Sequence, residues 1–159
     1  SRLLQEFVEK VSKEETGNLS VFRTQCMSHA TEISYFPITS IIRGYLQFED
    51  SDAEDVLKSK LEKLKSFGLE KTEIHFIGSL FSLKYEDSNT QFFDEAKKKQ
   101  SIFIALKSLF QKLSRVRAVI FCIDNLQWID PLSKEFLSFL TEDIEHEKLL
   151  ILLAARQKT

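Results

Sequence analysis

The sequence predicts an α/β fold, a parallel sheet with helices on both faces, and three observations carry that prediction. Residues 118–123 (A-V-I-F-C-I) form an unbroken apolar run that ends on Asp124. Residues 149–153 (L-L-I-L-L) form a second such run. Continuous apolar runs of this length suit strands that are covered on both faces, as in parallel sheets. Elsewhere along the chain, apolar residues recur mostly at helical spacing, which supplies the cover.

Taken in order, Leu3, Leu4, Phe7, Val8 and Val11 share one helical face, and the helix is expected to stop near Thr16-Gly17-Asn18 because Gly commonly ends helices. Asn18–Met27 alternates and reads as a strand, with Leu19, Val21 and Cys26 as packing positions. His29–Phe36 reads as a loop. Tyr35-Phe36-Pro37 then opens a helix to about Leu46, since proline suits a first helical turn. Phe48–Asp55 is acidic and loop-like. Val56, Leu57, Leu61 and Leu64 mark a helix that ends by Gly68.

Glu73–Leu83 is ambiguous by period; its place between helices and its lack of turn residues favour helix. Tyr85–Phe93 is polar and turn-rich, the expected exposed loop. Asp94–Ser114 is a long helix with Ile102, Leu106, Leu109, Phe110 and Leu113 on one face, and its Lys97–Lys99 run reads as a solvated face rather than an anion contact. A last helix follows Asp130-Pro131, carrying Leu132, Phe136, Leu137, Phe139, Leu140 and Ile144.

A chain of 159 residues holds one domain with a substantial core, and fourteen Phe supply much of it. The formal charge of −2 argues against a nucleic-acid groove as the main business. No apolar run reaches the length of a membrane span. Cys26 and Cys122 each fall in an apolar stretch, as buried free thiols of a cytoplasmic protein would. His29, His75 and His146 have no zinc spacing with them, so no metal is expected to be held by protein groups alone. The chain opens on Ser rather than Met, as a segment of a longer protein would.

The informative stretch is Arg117–Pro131, R-A-V-I-F-C-I-D-N-L-Q-W-I-D-P. It puts the carboxylate of Asp124 at the carboxyl end of a buried parallel strand, where open α/β sheets bind ligands. Asp124-Asn125-Leu126-Gln127-Trp128-Ile129-Asp130-Pro131 resembles the D-D-L-H/Q-W-A-D-P segment of the AAA-like and STAND P-loop ATPase modules of signalling proteins. Such modules occur in soluble-type class III adenylyl cyclases and MalT-like regulators. Ser1-Arg2-Leu3-Leu4-Gln5-Glu6-Phe7 is similar to the helix that continues the family's Walker A loop, as though the sequence began just after its lysine. By its residues alone this is an amphipathic helix opened by a capping Ser.

The resemblance implies a three-layer P-loop fold in which residues 1–159 form an incomplete ATPase domain, the Walker A loop and first strand lying upstream and a helical region spanning about 37–114. It sets Leu149–Leu153 between the Walker B strand and that first strand. Without that neighbour a strand edge and an apolar face are bared, so the 159 residues alone are expected to be unstable or prone to aggregate.

The resemblance also implies site residues and cofactors. Asp124 becomes the Walker B carboxylate that holds Mg²⁺ with ATP, and Ser1 the hydroxyl that shares the metal. Arg156, closing the last strand, takes a γ-phosphate sensor place; a solvent-exposed Arg after a strand is the equal alternative. Asn125 stands where the family has an acid that activates water. Asn can hold a water but cannot take its proton, so hydrolysis is expected to be slow or absent. Asp130 reads first as a helix N-cap, and Trp128 first as a packing residue.

The expected function is an ATP-binding regulatory module of a larger signalling protein, possessing nucleotide and the other domains of its chain as partners. The alternative is a catalytically dead P-loop scaffold that serves intramolecular or partner contacts.

Overall fold

The computed structural model describes residues 1–14, 17–87 and 93–156. Three strands, β1 (Leu19–Gln25), β2 (Ala118–Asp124) and β3 (Leu149–Leu153), form one parallel sheet in the order β1-β2-β3. The register sets Gln25 opposite Asp124 and Leu153 opposite Ile123, so the three strands end together at their carboxyl ends. Parallel neighbours require crossovers, and here these are long. The crossover between β1 and β2 carries α2 (Phe36–Leu46), α3 (Glu54–Glu62), α4 (Lys71–Ser79) and α5 (Glu95–Val116), while α6 (Pro131–Thr141) joins β2 to β3.

Alternation along the strands divides the core into two. Phe22, Val119, Phe121, Ile123 and Ile151 face the larger cluster beneath α2, α5 and α6. Leu19, Val21, Ile120, Cys122 and Leu152 face the other way, against Leu4, Val8 and Val11 of α1 (Arg2–Glu14). β2 is therefore covered on both sides, and Val119 through Ile123 are all buried, as the apolar run predicts. Phe110, Phe121 and Phe136 are the largest fully buried side chains; the first two meet edge to face at 4.6 Å. A ring buried this completely typically contributes about 3–5 kcal/mol.

Helix ends follow local chemistry. Asp94 caps α5 by accepting the Lys97 N–H at 2.7 Å. Glu70 and Glu73 form a reciprocal capping box that starts α4, which accounts for helix in the ambiguous 73–83 stretch. That helix ends at Ser79, and Leu80–Leu83 turn away with Ser82 at φ 59°. Gly68 ends the 3-10 turn after α3 at φ 89°, a conformation that glycine adopts without a Cβ penalty. α6 stops at Thr141, so Ile144 joins the core from the following turn rather than from the helix.

Two expectations are corrected. Leu3 was expected on the buried face of α1 but is exposed, because the sheet meets the helix along Leu4, Val8 and Val11 and leaves Leu3 and Phe7 on its flank. Trp128 is not buried: it lies in a short 3-10 turn, 44% exposed. The free outer side of β3 leaves Leu150 and Leu153 exposed, with no further strand beside them among the described residues. Most of the loop expected over Tyr85–Phe93 lies at 88–92, outside the described residues.

Candidate functional site

β2 delivers Asp124 to the carboxyl edge of the sheet, and the backbone then breaks sharply. Asn125 adopts a left-handed conformation at φ 56°, which Asn tolerates better than most residues. Its N–H turns back to the Asp124 carboxylate at 2.8 Å. Leu126–Trp128 form a single 3-10 turn, and Asp130-Pro131 open α6.

Backbone bonds lock this turn between its neighbours. The Asp124 carbonyl accepts the Cys26 N–H, and the Ala154 carbonyl accepts the Leu126 N–H, each at 2.9 Å. The Gln127 side-chain oxygen accepts the Arg156 N–H at 3.2 Å, which fixes the backbone after β3 to the same turn.

The structure brings Ser1 against Asp124, and the charge of Arg156 acts on the Asp124 carboxylate. The amino end of α1 lies against the end of β2, with the main-chain nitrogen of Ser1 next to the Asp124 carboxylate. Burial disfavours the charged form of Asp124, while the Asn125 N–H and the Arg156 charge favour it. A partly exposed carboxylate at the carboxyl edge of the sheet, next to a serine, is a donor that a hard divalent cation carrying phosphate oxygens could use. Asn125 adjoins Asp124 in sequence, but it does not line the cavity onto which Asp124 opens.

That cavity, about 360 Å³, lies between the amino end of α1, the end of β1 and the start of α2. Arg23, Thr24, Gln25, Ser40 and Asp124 supply its polar lining, over Leu4 and Cys122. Burial, with the charges of Asp130 and Asp124, pushes the nearby Cys26 thiol up to about 11, so it stays protonated.

Arg23 and Gln25 fall in the strand expected over Asn18–Met27 but were not among the expected site residues. Their signal was present in the alternation of β1, which puts both on the face of Leu19 and Val21.

Asp130 is a buried structural residue, as its N-cap reading expects. It is 1% exposed and accepts the Ser133 N–H at 3.0 Å as the cap of α6. It also accepts the Tyr35 N–H at 2.9 Å from the start of α2, which sequence gave no means to foresee.

A family model described as an AAA ATPase domain matches residues 1–153. The chain belongs to the AAA ATPase domain family. The AAA domain is a P-loop, ATP-binding module, and the α/β sheet with Asp124 at its carboxyl edge agrees with that membership. Comparison with curated proteins and with solved structures finds no match for this AAA domain. Among the described residues, no helix is long and apolar enough to cross a membrane.

Proposed function

We propose that this AAA domain is an ATP-binding regulatory module of a larger signalling protein, of the kind attached to soluble-type adenylyl cyclases, with Mg-ATP held at Asp124 and hydrolysis slow or absent. In this reading the 159 residues are an incomplete P-loop domain, and the phosphate-cradling Walker A loop precedes Ser1. The observation that carries the reading is the Asp124 carboxylate at the carboxyl end of the central strand, against the amino end of α1 and on the wall of a cavity.

Asp124 and the Ser1 hydroxyl would hold Mg²⁺, which bridges phosphate oxygens and offsets their charge when bound. Arg156, its backbone fixed by Gln127, would meet the γ-phosphate and distinguish ATP from ADP. Asn125 holds water by hydrogen bonding without accepting its proton, which favours binding over turnover. No group assigned here performs cyclisation; the module regulates, and catalysis belongs to other domains.

Isothermal titration of Mg-ATP into the full natural chain and its Asp124→Ala variant tests this reading. Saturable, Mg²⁺-dependent binding that weakens at least tenfold in the variant is the expected result. Absence of Mg-ATP binding, or indifference to the substitution, would favour a nucleotide-free scaffold instead.

A further inference from the structure

Arg23 is a cation that the site described so far does not use. β1 and β2 pair in parallel with Arg23 opposite Cys122 and Gln25 opposite Asp124. Side chains alternate along a strand, so Arg23 and Gln25 share the face of Leu19 and Val21. On β2 that face carries Ile120 and Cys122, and by the same alternation Asp124. The three side chains thus stand on one side of the sheet at one end of it, and all three line the same cavity.

Arg23 is exposed and makes no ion pair among the described residues. Among the described residues Arg2 pairs with Glu6, Arg43 with Asp50 and Arg115 with Glu147, while Arg117 and Arg156 share with Arg23 the lack of an ion pair. Asp124 shares the cavity with Arg23 but makes no ion pair with it. The remaining polar lining, Thr24, Gln25 and Ser40, is neutral and able to hydrogen-bond. An unpaired guanidinium in a partly apolar recess, one strand from an ionised carboxylate, suits a group with several anionic oxygens, one of which a metal can share with that carboxylate.

We propose that Arg23 is a phosphate-binding residue of this cavity, taking an oxygen of the terminal phosphate of the nucleotide whose Mg²⁺ Asp124 holds. The proposal rests on the nucleotide-site reading above and adds a second guanidinium to it. β2 lies between β1 and β3 in the sheet, so Arg23 and Arg156 approach Asp124 from opposite sides. A terminal phosphate held from both sides separates ATP from ADP more sharply than one arginine does.

The test is titration of Mg-ATP and Mg-ADP into the full natural chain, its Arg23→Ala and Arg23→Lys variants, and Asp124→Ala. A charge-assisted hydrogen bond lost from a partly desolvated site corresponds to roughly 10–100-fold in affinity. Arg23→Ala is therefore expected to weaken Mg-ATP by that factor while Mg-ADP changes less than about twofold, and Arg23→Lys to recover part of the loss. Equal weakening of both nucleotides, or no change in either, while Asp124→Ala still impairs Mg-ATP binding, would overturn the assignment of Arg23 and leave the nucleotide site standing. Unchanged Mg-ATP affinity in Asp124→Ala would remove the nucleotide site, and the role of Arg23 with it. Arg23 is exposed, so thermal unfolding of its variants should coincide with that of the parent and separates a binding loss from a folding loss.

Discussion

The carboxylate of Asp130 accepts the backbone N–H of Tyr35 at 2.9 Å across 95 residues of sequence. The same oxygen accepts the Ser133 N–H at 3.0 Å. One buried acid thus caps α6 and holds the start of α2, and Phe36 and Ser40 of that helix wall the cavity beside Asp124. Tyr35 is in a left-handed conformation at φ 61°, so its N–H is turned out of the helical path and toward the carboxylate.

Asp130→Ala is expected to destabilise the natural chain by about 2–4 kcal/mol. Loss of a cap costs about 1 kcal/mol, and a buried N–H left without a partner costs about 1–3 more. Asp130→Asn keeps an acceptor oxygen and should lose less than half as much. Urea unfolding of both variants checks this; equal losses would mean that shape, rather than the hydrogen bonds, sets the role of Asp130.

Asn125→Asp concerns turnover. Restoring an acid beside Asp124 is expected to raise the rate of Mg-ATP hydrolysis on the order of 10²–10⁴, with little change in binding. The backbone should be undisturbed, since Asp tolerates the left-handed conformation about as well as Asn. Phosphate release at saturating Mg-ATP is the measurement. An unchanged rate in a variant that still binds ATP would show that position 125 does not address the attacking water.

Alkaline pH should weaken the fold through groups that burial keeps protonated. Burial first, then the charge of Asp130, raises Cys26 to about 11 and Tyr35 to about 12. A folded-state pKa above the unfolded value means that stability is complete below the unfolded pKa and falls as pH rises through the folded one. For Cys26 the window is about pH 9 to 11, with a loss near 2 kcal/mol by pH 10.5. Urea midpoints at pH 8 and pH 10.5 should therefore differ, and Cys26→Ala should narrow the difference. A gap of the same size in Cys26→Ala would assign the alkaline loss to other groups.

Much of the fold was legible before any coordinates. The apolar runs ending at Ile123 and Leu153 could hardly be anything but covered strands, and Asp130-Pro131 could hardly fail to start a helix, because both signals are local. The Asp124–Pro131 wording also pointed to a P-loop ATPase, and the family match agrees. Leu3 and Trp128 went the other way. Each has a side chain suited to burial, yet each lies where this sheet has nothing to cover it.

The sequence by itself determined which segments are helices and strands and that a carboxylate ends the central strand, since periodicity, capping and β-propensity act over a few neighbouring residues. Only the tertiary structure decided that Arg23 and Gln25 share a cavity with Asp124, that Gln127 fixes the backbone of Arg156, and that Asp130 fastens α2 to α6. Those relationships join residues far apart in the chain, and they arise from strand register and from helix packing on a finite sheet.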